Sequence, residues 1–361
     1  MATTKVTTDV IDMSGNAGGL TWVTGTTVQQ PSGVIGEIRE DTDTNRTLVY
    51  TDETGTAEWR NLKETAVTLP TFNVDFLVVA GGGSGGVHQG GGGGAGGYRT
   101  SYGTVSPITK NGGSMENALA LSVGTVYVVT VGPGGAAVSG NGSRANDGVN
   151  SSFSTIIIST GGGGGGTAST VPPGNAYDGG SGGGGSGDLA STGGSAVTTP
   201  VIQGSAGGNG IAGVSGNRSA GAGGGAADPG DNATTGNGGD GGIGLENEIT
   251  GATGVFYAGG GGGSAQGIGG TGGSGVGGTG ATNTTGTTAG SPNTGGGGGG
   301  NDGDTGVQFS GAGGKGVVIL RYPSGKSAVL SDGATGSVDQ SITGSTDKYA
   351  RITNSGKITF S

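Results

Sequence analysis

Long runs of glycine dominate this sequence. Six consecutive glycines, Gly161–Gly166, directly follow the strand-like segment FSTIIIST, and similar runs occur in FLVVAGGGSGG, VFYAGGGGGS and PNTGGGGGGND. Glycine loses more conformational entropy on folding than any other residue, so an ordered run requires many compensating interactions. The irregular spacing between the runs argues against a solenoid with a fixed repeat length.

Glycine is concentrated in the middle of the chain. Of the 97 glycines, residues 1–80 contain 7 and residues 317–361 contain 5. Glycine and proline together make up about 30% of the chain, a composition typical of disordered low-complexity proteins, so disorder stays open as an alternative. Collagen is excluded because the sequence lacks a strict Gly-X-Y register and contains only 10 prolines.

Charge and cysteine content exclude several classes of protein. The formal net charge is −10, and no stripe of Lys or Arg is available to neutralise phosphates, so nucleic acid is not an expected partner. The absence of cysteine excludes disulfides and Cys-based metal sites. No apolar segment approaches the roughly 20 residues that span a bilayer, and the first residues have no apolar core of signal-peptide length. We therefore expect no membrane insertion and no synthesis by the usual secretory route.

Segments rich in β-branched residues and bounded by glycine predict an all-β fold, with strands like those of a β-sandwich or jelly roll and almost no α-helix. Ser114–Ser122 is expected to form one helical turn, and Asn354–Gly356 is the predicted turn of a C-terminal hairpin. The predicted organisation has four parts, which are a small N-terminal β module for attachment or oligomerisation (1–64), a linker (65–73), a glycine-rich domain (74–323) and a C-terminal β-hairpin module (324–361).

The glycine runs fit a polyglycine II helix, which is extended and has three residues per turn with a rise of about 3.1 Å per residue. Such a helix has no internal hydrogen bonds, so its N–H and C=O groups can bond to neighbouring helices in several directions. Neighbouring backbones would lie close to the roughly 4.7–4.9 Å spacing of paired strands, which leaves no room for a Cβ atom. The sequence therefore predicts a bundle of polyglycine II helices. One predicted structural run consists of Gly161, Gly162, Gly163, Gly164, Gly165 and Gly166.

The order of the motifs VDFLVVAGGGSGG, GGGGAGGYRTS, YVVTVGPGG, FSTIIISTGGGGGG and GVVILRYP resembles the glycine-rich domain of bacteriophage tail-fibre and adhesin proteins, especially those of marine cyanobacterial phages. The same region, about Val74–Pro323, is similar to the glycine-rich extracellular module of anaplastic lymphoma kinase. The segment GEIREDTDTNRTLVYTDETGTAEWRNLK resembles a short β module that recurs in phage fibre and baseplate proteins. The resemblance implies strands that cap a bundle of polyglycine II helices, exposed loops available for recognition, and no catalytic residues.

From this resemblance we expect a non-enzymatic virion structural protein, a phage tail-fibre or adhesin subunit in an external appendage that contacts the host surface. It would be made in the host cytoplasm. The expected partners are further copies of the chain in a homotrimer, other virion tail or fibre proteins, and a host glycan or surface protein. No cofactor is expected. Two alternatives stay open, a virion fibre or decoration protein with a purely structural role and an ice-binding protein. Ice binding would need a regular face of threonine, and GATNTTGTTAG is too irregular to predict one.

Three residues are candidates for contact with a receptor. Tyr177 follows two prolines that stiffen a loop, and its ring could stack on a sugar or pack over the glycine bundle. His88 is the only histidine of the chain, and Arg218 is the third candidate. A Ser-His-Asp hydrolase would have to use His88, which we expect to lack rigid neighbours that could orient it. No catalytic residue is therefore predicted.

An acidic segment, NDGDTG, contains the weak metal candidates of the sequence. Asp302 and Asp304 are spaced like the first ligands of a Ca²⁺ loop. The twelfth position counted from Asp302 is Gly313, where an EF-hand has Glu. An acidic turn is therefore favoured over a divalent-ion site.

Overall fold

The computed structural model describes most of the chain after residue 69 and four short strands before it. The described residues are 23–25, 38–41, 46–51, 58–61, 70–103, 115–140, 143–167, 174–188, 191–213, 217–303 and 309–361. The chain forms two compact units, Met1–Thr68 and Leu69–Ser361.

The described part of the first unit is a four-stranded sheet with the order β1-β2-β3-β4. β1 and β2 are parallel, and the other two pairs are antiparallel. β2 and β3 have the sequences IRED and RTLVYT, whose β-branched residues favour strands. The strands are β1 (Val23–Gly25), β2 (Ile38–Asp41), β3 (Arg46–Thr51) and β4 (Glu58–Asn61).

The second unit contains two larger sheets that pack face to face, which confirms the predicted all-β class. The first sheet has the order β15-β16-β13-β5-β6, with β7 paired to the beginning of β5, and the second has the order β10-β9-β8-β17-β14. A separate pair, β11 and β12, is antiparallel. The strands are β5 (Thr71–Val79), β6 (Tyr98–Thr100), β7 (Leu119–Ser122), β8 (Val126–Thr130), β9 (Ser151–Phe153), β10 (Ile157–Ser159), β11 (Leu245–Glu246), β12 (Phe256–Tyr257), β13 (Val317–Pro323), β14 (Ala328–Ser331), β15 (Thr335–Ser341), β16 (Asp347–Asn354) and β17 (Gly356–Phe360).

The sequence FLVV in β5 is apolar at every position because both faces of this strand are buried. Val74, Phe76 and Val78 are fully buried in the core between the two sheets. Leu77 and Val79 are fully buried on the opposite face, against the glycine-rich body. Period-two alternation places successive side chains on opposite faces, so a strand with two buried faces reads as a continuous apolar run. The second core also contains Ala95, Tyr98, Ala226, Ile249, Tyr257, Ala258, Val317 and Ile319.

Residues 324–361 belong to the same sandwich and do not form a separate hairpin. β16 pairs with β13 and β15 in the first sheet, whereas β17 pairs with β8 and β14 in the second. The turn predicted at Asn354–Gly356 therefore connects strands of opposite sheets, and the hairpin prediction is wrong. The physical reason is the core, because Ile352 and Ile358 are both fully buried in it from opposite sides.

The helical turn predicted at Ser114–Ser122 is also wrong where the structure describes it, from residue 115 onward. Leu119–Ser122 forms β7 and pairs with the start of β5. Leu121 is 1% exposed and packs in the core between the sheets. Sheet pairing and the burial of this side chain outweigh the helix propensity of the segment, which is only a weak preference.

Between β5 and β13 the chain forms a bundle of glycine-rich runs that bond through their backbones. Successive N–H groups of residues 80–86 bond in rotation to three neighbouring runs, with N···O distances of 2.8–3.0 Å, and the partner changes with a period of three residues. The carbonyl groups of the same run accept hydrogen bonds from three further runs, so this run has six neighbours. The neighbours are residues 90–97, 132–135, 145–150, 161–166, 297–302 and 311–316.

The run Gly161–Gly166 is buried within this bundle. The N–H groups of Gly162 and Gly165 bond to residues 80–86, and those of Gly163 and Gly166 bond to residues 179–187. Each such hydrogen bond contributes about 0.5–1.5 kcal/mol net. The bonds made in several directions offset the conformational entropy that six glycines lose on folding.

Candidate recognition surface

The runs of the glycine bundle lead alternately away from the sandwich and back to it. Residues 80–86 continue from β5, and residues 90–97 bond to them in antiparallel register and lead into β6. Residues 295–302 likewise lead outward, and residues 309–316 return to β13. The turns that join such runs therefore lie at the end of the bundle farthest from the sandwich. We call this end the distal end, and its described turn residues include 87–89, 187–188, 211–213, 217–219 and 302–303.

His88 and Gln89 form the turn between the first two runs. Both have left-handed backbone conformations, with φ of 53° and 45°, which non-glycine residues adopt only where the surroundings hold them. Gln89 is 3% exposed, and its Nε2 donates to the main-chain oxygen of Asp302 at 2.9 Å and to its carboxylate at 3.1 Å. The expectation that His88 lacks rigid neighbours is therefore wrong. Its imidazole is half-buried in a turn whose backbone is fixed.

Arg218 lies close to this turn, although the two are far apart in sequence. Its guanidinium pairs with Asp188, with an Nη1···Oδ1 distance of 2.6 Å. The residue before Asp188, Gly187, donates its N–H to the carbonyl oxygen of Gln89 at 2.9 Å. The distal end therefore brings His88 and Arg218 into one neighbourhood, where the arginine is oriented by a carboxylate and 40% of its side chain is exposed.

Tyr177 lies on the flank of the bundle, away from the distal end. Its N–H donates to the carbonyl oxygen of Gly164, in the middle of a glycine run. The guanidinium of Arg144 covers one face of the ring at 3.8 Å from the centroid, and Asp147 pairs with the same arginine at 2.8 Å. Tyr177 is half-buried. Packing over the bundle therefore occupies one ring face, and a sugar could stack only on what remains open.

The acidic candidates do not form a metal centre among the described residues. Asp302 is fully buried and accepts the hydrogen bond from Gln89, so it stabilises the turn at His88. Asp304 lies outside the described residues. Within the described ranges no group of three or more His, Asp or Glu residues is placed to hold a metal ion. The described part of the chain also contains no helix with the length and apolarity needed to cross a bilayer.

Sequence reasoning missed two apolar side chains at the distal end. Phe309 is 60% exposed and Ile268 is 68% exposed. The backbone of Phe309 is fixed, because its carbonyl oxygen accepts from Asn301 Nδ2 at 2.9 Å and the residue forms a bridge with Ser139. The available signal was a single aromatic residue in GVQFSGAGG, outside any strand-like pattern.

Comparison with known protein families agrees with this architecture. Residues 60–323 match the model of a family described as a glycine-rich domain, and this match covers the whole glycine bundle together with β5 and β13. No curated protein matches the chain.

Proposed function

The chain belongs to the glycine-rich domain family, and from this premise we propose that it is a non-enzymatic structural protein of a virion, a tail-fibre or adhesin subunit whose distal end contacts the host surface. The observation that carries the proposal is the convergence of His88 and Arg218 on one rigid end of the bundle. Side chains on a fixed backbone bind with a smaller loss of conformational entropy than side chains on mobile loops.

The same proposal assigns the glycine runs to polyglycine II helices. The support is the period of three in the hydrogen bonds of residues 80–86, 90–97 and 161–166, which equals the number of residues per turn of that helix. In such a bundle the glycine runs stabilise the fold, and the turns at the distal end are free to vary and to bind a receptor.

Partners and location follow from this role. The protein forms a homotrimer and attaches to other tail or fibre proteins in an external appendage of the particle, and its receptor is a host glycan or surface protein. Immunogold labelling of purified virions tests the location. Labelling of the capsid alone would contradict a tail-fibre position.

The host-contact role is tested by binding of the fluorescently labelled full-length protein to a panel of bacterial cells that includes marine cyanobacteria. We expect saturable binding to some strains, at least a tenfold loss of affinity for His88→Ala/Arg218→Ala, and an unchanged melting temperature. Asp332→Ala is the matched control, because Asp332 pairs with Lys357 on the sandwich and is 60% exposed. Tyr177→Ala reports whether the flank takes part. Unchanged affinity of the double variant would contradict the assignment of the distal end.

A purely structural role is the alternative that the same experiment separates. If the protein is present on virions but binds no strain, and if virions without it lose integrity rather than attachment, the subunit is a decoration or fibre component.

One observation favours ice binding as a second candidate. Thr271, Thr279 and Thr288 are exposed on three adjacent runs, and the hydroxyls of the last two lie 3.1 Å apart. Of these three threonines only Thr288 lies in GATNTTGTTAG, so the contact between Thr279 and Thr288 joins two runs and is not visible within that segment. Thermal hysteresis of a concentrated solution tests this function. Activity that disappears in Thr271→Val/Thr279→Val/Thr288→Val would support it, and absence of hysteresis in the unsubstituted protein would exclude it.

A further inference from the structure

The edge of the glycine bundle differs from its interior in one recurring way. In the run Gly161–Gly166, two of the three N–H directions lead to carbonyl groups of neighbouring runs. The third direction leads to side chains, because Gly161 N donates to Asn150 Oδ1 at 2.8 Å and Gly164 N donates to Asp147 Oδ1 at 2.9 Å. Asn150 and Asp147 are exposed, so the third direction points to the surface.

On other outer runs, too, a side-chain oxygen replaces a backbone carbonyl as the acceptor of some N–H groups. In residues 191–197, Gly194 N bonds to a backbone oxygen, whereas Gly193 N donates to Asn209 Oδ1 at 3.0 Å and Ser195 N donates to Asp178 Oδ1 at 2.5 Å. In the next runs, Asn209 N donates to Asn232 Oδ1 at 2.7 Å, and Thr271 N donates to Asp240 Oδ1 at 2.6 Å. The six acceptor side chains are all exposed, and we call them the perimeter bridges; they are Asp147, Asn150, Asp178, Asn209, Asn232 and Asp240.

Each perimeter bridge accepts from an N–H group that points away from the bundle. In an interior run, the N–H group that points in the same direction bonds to another run. Residues 80–86 and 90–97 have six neighbours, and all of their bonds in these directions go to other runs. An outer run without a bridge would present a row of N–H groups at the spacing of the interior bundle. Unpaired backbone groups in such a row are a template for pairing with another chain, as at the edge of a β-sheet.

We propose that the perimeter bridges prevent the outer runs of the glycine bundle from pairing with a glycine-rich run of a second copy of this chain. A second copy is the fitting occupant because its runs have the same three-residue period and lack Cβ atoms that would prevent close approach. The short Asp and Asn side chains reach the N–H of the adjacent run and leave the carboxylate or amide at the surface, where a further backbone cannot pack without displacing it.

The test uses the full-length chain with the two bridges of residues 191–197 removed, Asp178→Ala/Asn209→Ala. The matched control is Asp178→Asn/Asn209→Asp, which keeps both acceptor oxygens and the net charge. Sedimentation velocity over a hundredfold range of concentration measures the mass. We expect the alanine variant to form species of at least twice the mass of the unsubstituted protein, reversibly on dilution, and the exchanged variant to keep the original mass.

Hydrogen exchange at Gly193 and Ser195 shows whether the bridges were lost. Faster exchange at these amides together with an unchanged mass would overturn the proposal, because the bridges would then only satisfy local donors. Should the alanine variant fail to fold, Asp240→Ala gives the same test. Sedimentation velocity measures its mass, and hydrogen exchange is measured at Thr271, whose N–H donates to Asp240. A folded Asp240→Ala protein that keeps the original mass at every concentration would likewise overturn it.

Discussion

A Cβ atom added to Gly163 would lie 2.0 Å from the carbonyl oxygen of Tyr177. That oxygen accepts the N–H of Gly183 at 2.9 Å, and the N–H of Tyr177 donates to Gly164 at 3.0 Å, so the neighbouring backbone is held on both sides. We expect Gly163→Ala to lower the free energy of unfolding by about 1–3 kcal/mol, as overpacking does in a dense core. Urea denaturation measures the change.

Two other glycines give the matched controls for this substitution. On Gly164 the nearest atom would be 2.9 Å away, so we expect a smaller loss for Gly164→Ala than for Gly163→Ala. On the exposed Gly325 a Cβ would meet nothing within 4 Å, and alanine there should be neutral or stabilising by about 0.4–1 kcal/mol, because it restricts the unfolded chain. A gain in stability for Gly163→Ala would contradict the packing of this run.

The last strand should be essential to the stability of the whole second unit. Phe360 is fully buried, and its ring centroid lies 5.1 Å from that of Tyr322 and 5.3 Å from that of Phe72. We expect Phe360→Ala to cost about 3–5 kcal/mol, with one cooperative transition in calorimetry. Val329→Ala, at a side chain that is 61% exposed on the neighbouring strand, is the control and should change little. A separate early transition that contains only residues 324–361 would contradict a shared core.

Alkaline pH should destabilise the sandwich through its buried tyrosines. Burial raises the pKa of Tyr98, and likewise the pKa values of Tyr257 and Tyr322, because the phenolate would form in a poorly solvated site. The unfolded value is about 10. Stability is therefore fully present below about pH 10 and is lost as the pH rises above it, because the unfolded chain releases the protons first.

Tyr98→Phe tests this linkage. The Tyr98 hydroxyl accepts from Asn247 Nδ2 at 2.7 Å, and this amide keeps the carbonyl oxygen of Tyr102 as an acceptor at 3.0 Å, so the variant should fold. Urea melts between about pH 9 and 11 should show a shallower loss of stability than in the unsubstituted protein, by about one proton. An identical slope would show that Tyr98 does not contribute.

The fold class was predictable because segments rich in β-branched residues and bounded by glycine are typical of β-strands. The partners of each strand were not predictable, since strand pairing over a long sequence distance leaves no local signal. Ile352 and Ile358 have the spacing of hairpin arms in the sequence. In the structure Ile352 pairs with Val318 and Ile358 pairs with Tyr127, in opposite sheets that share one core.

The candidate site was predictable only in part. His88 was conspicuous as the single histidine, but its pairing with other residues depends on which glycine runs are neighbours. The hydrogen bond from Gly187 N–H to the carbonyl oxygen of Gln89 brings Arg218 close to His88. It joins two backbones, so it cannot be predicted from the residue types. Phe309 was missed because one aromatic residue among glycines has the same appearance whether it is buried or exposed.

Val79 and Val317 are paired neighbours in β5 and β13, so the chain between them, which contains the glycine bundle and also strands β6–β12, begins and ends at one place in the sandwich. Tension applied to the chain on either side is therefore borne first by the strand pairs of the sandwich, among them β5 with β13 and β8 with β17, rather than by the glycine bundle. Under such tension the distal end should keep its shape until those strands separate. In single-molecule pulling, residues 80–316, roughly 800 Å of chain at about 3.3–3.6 Å per residue, should lengthen only after β5 and β13 have parted.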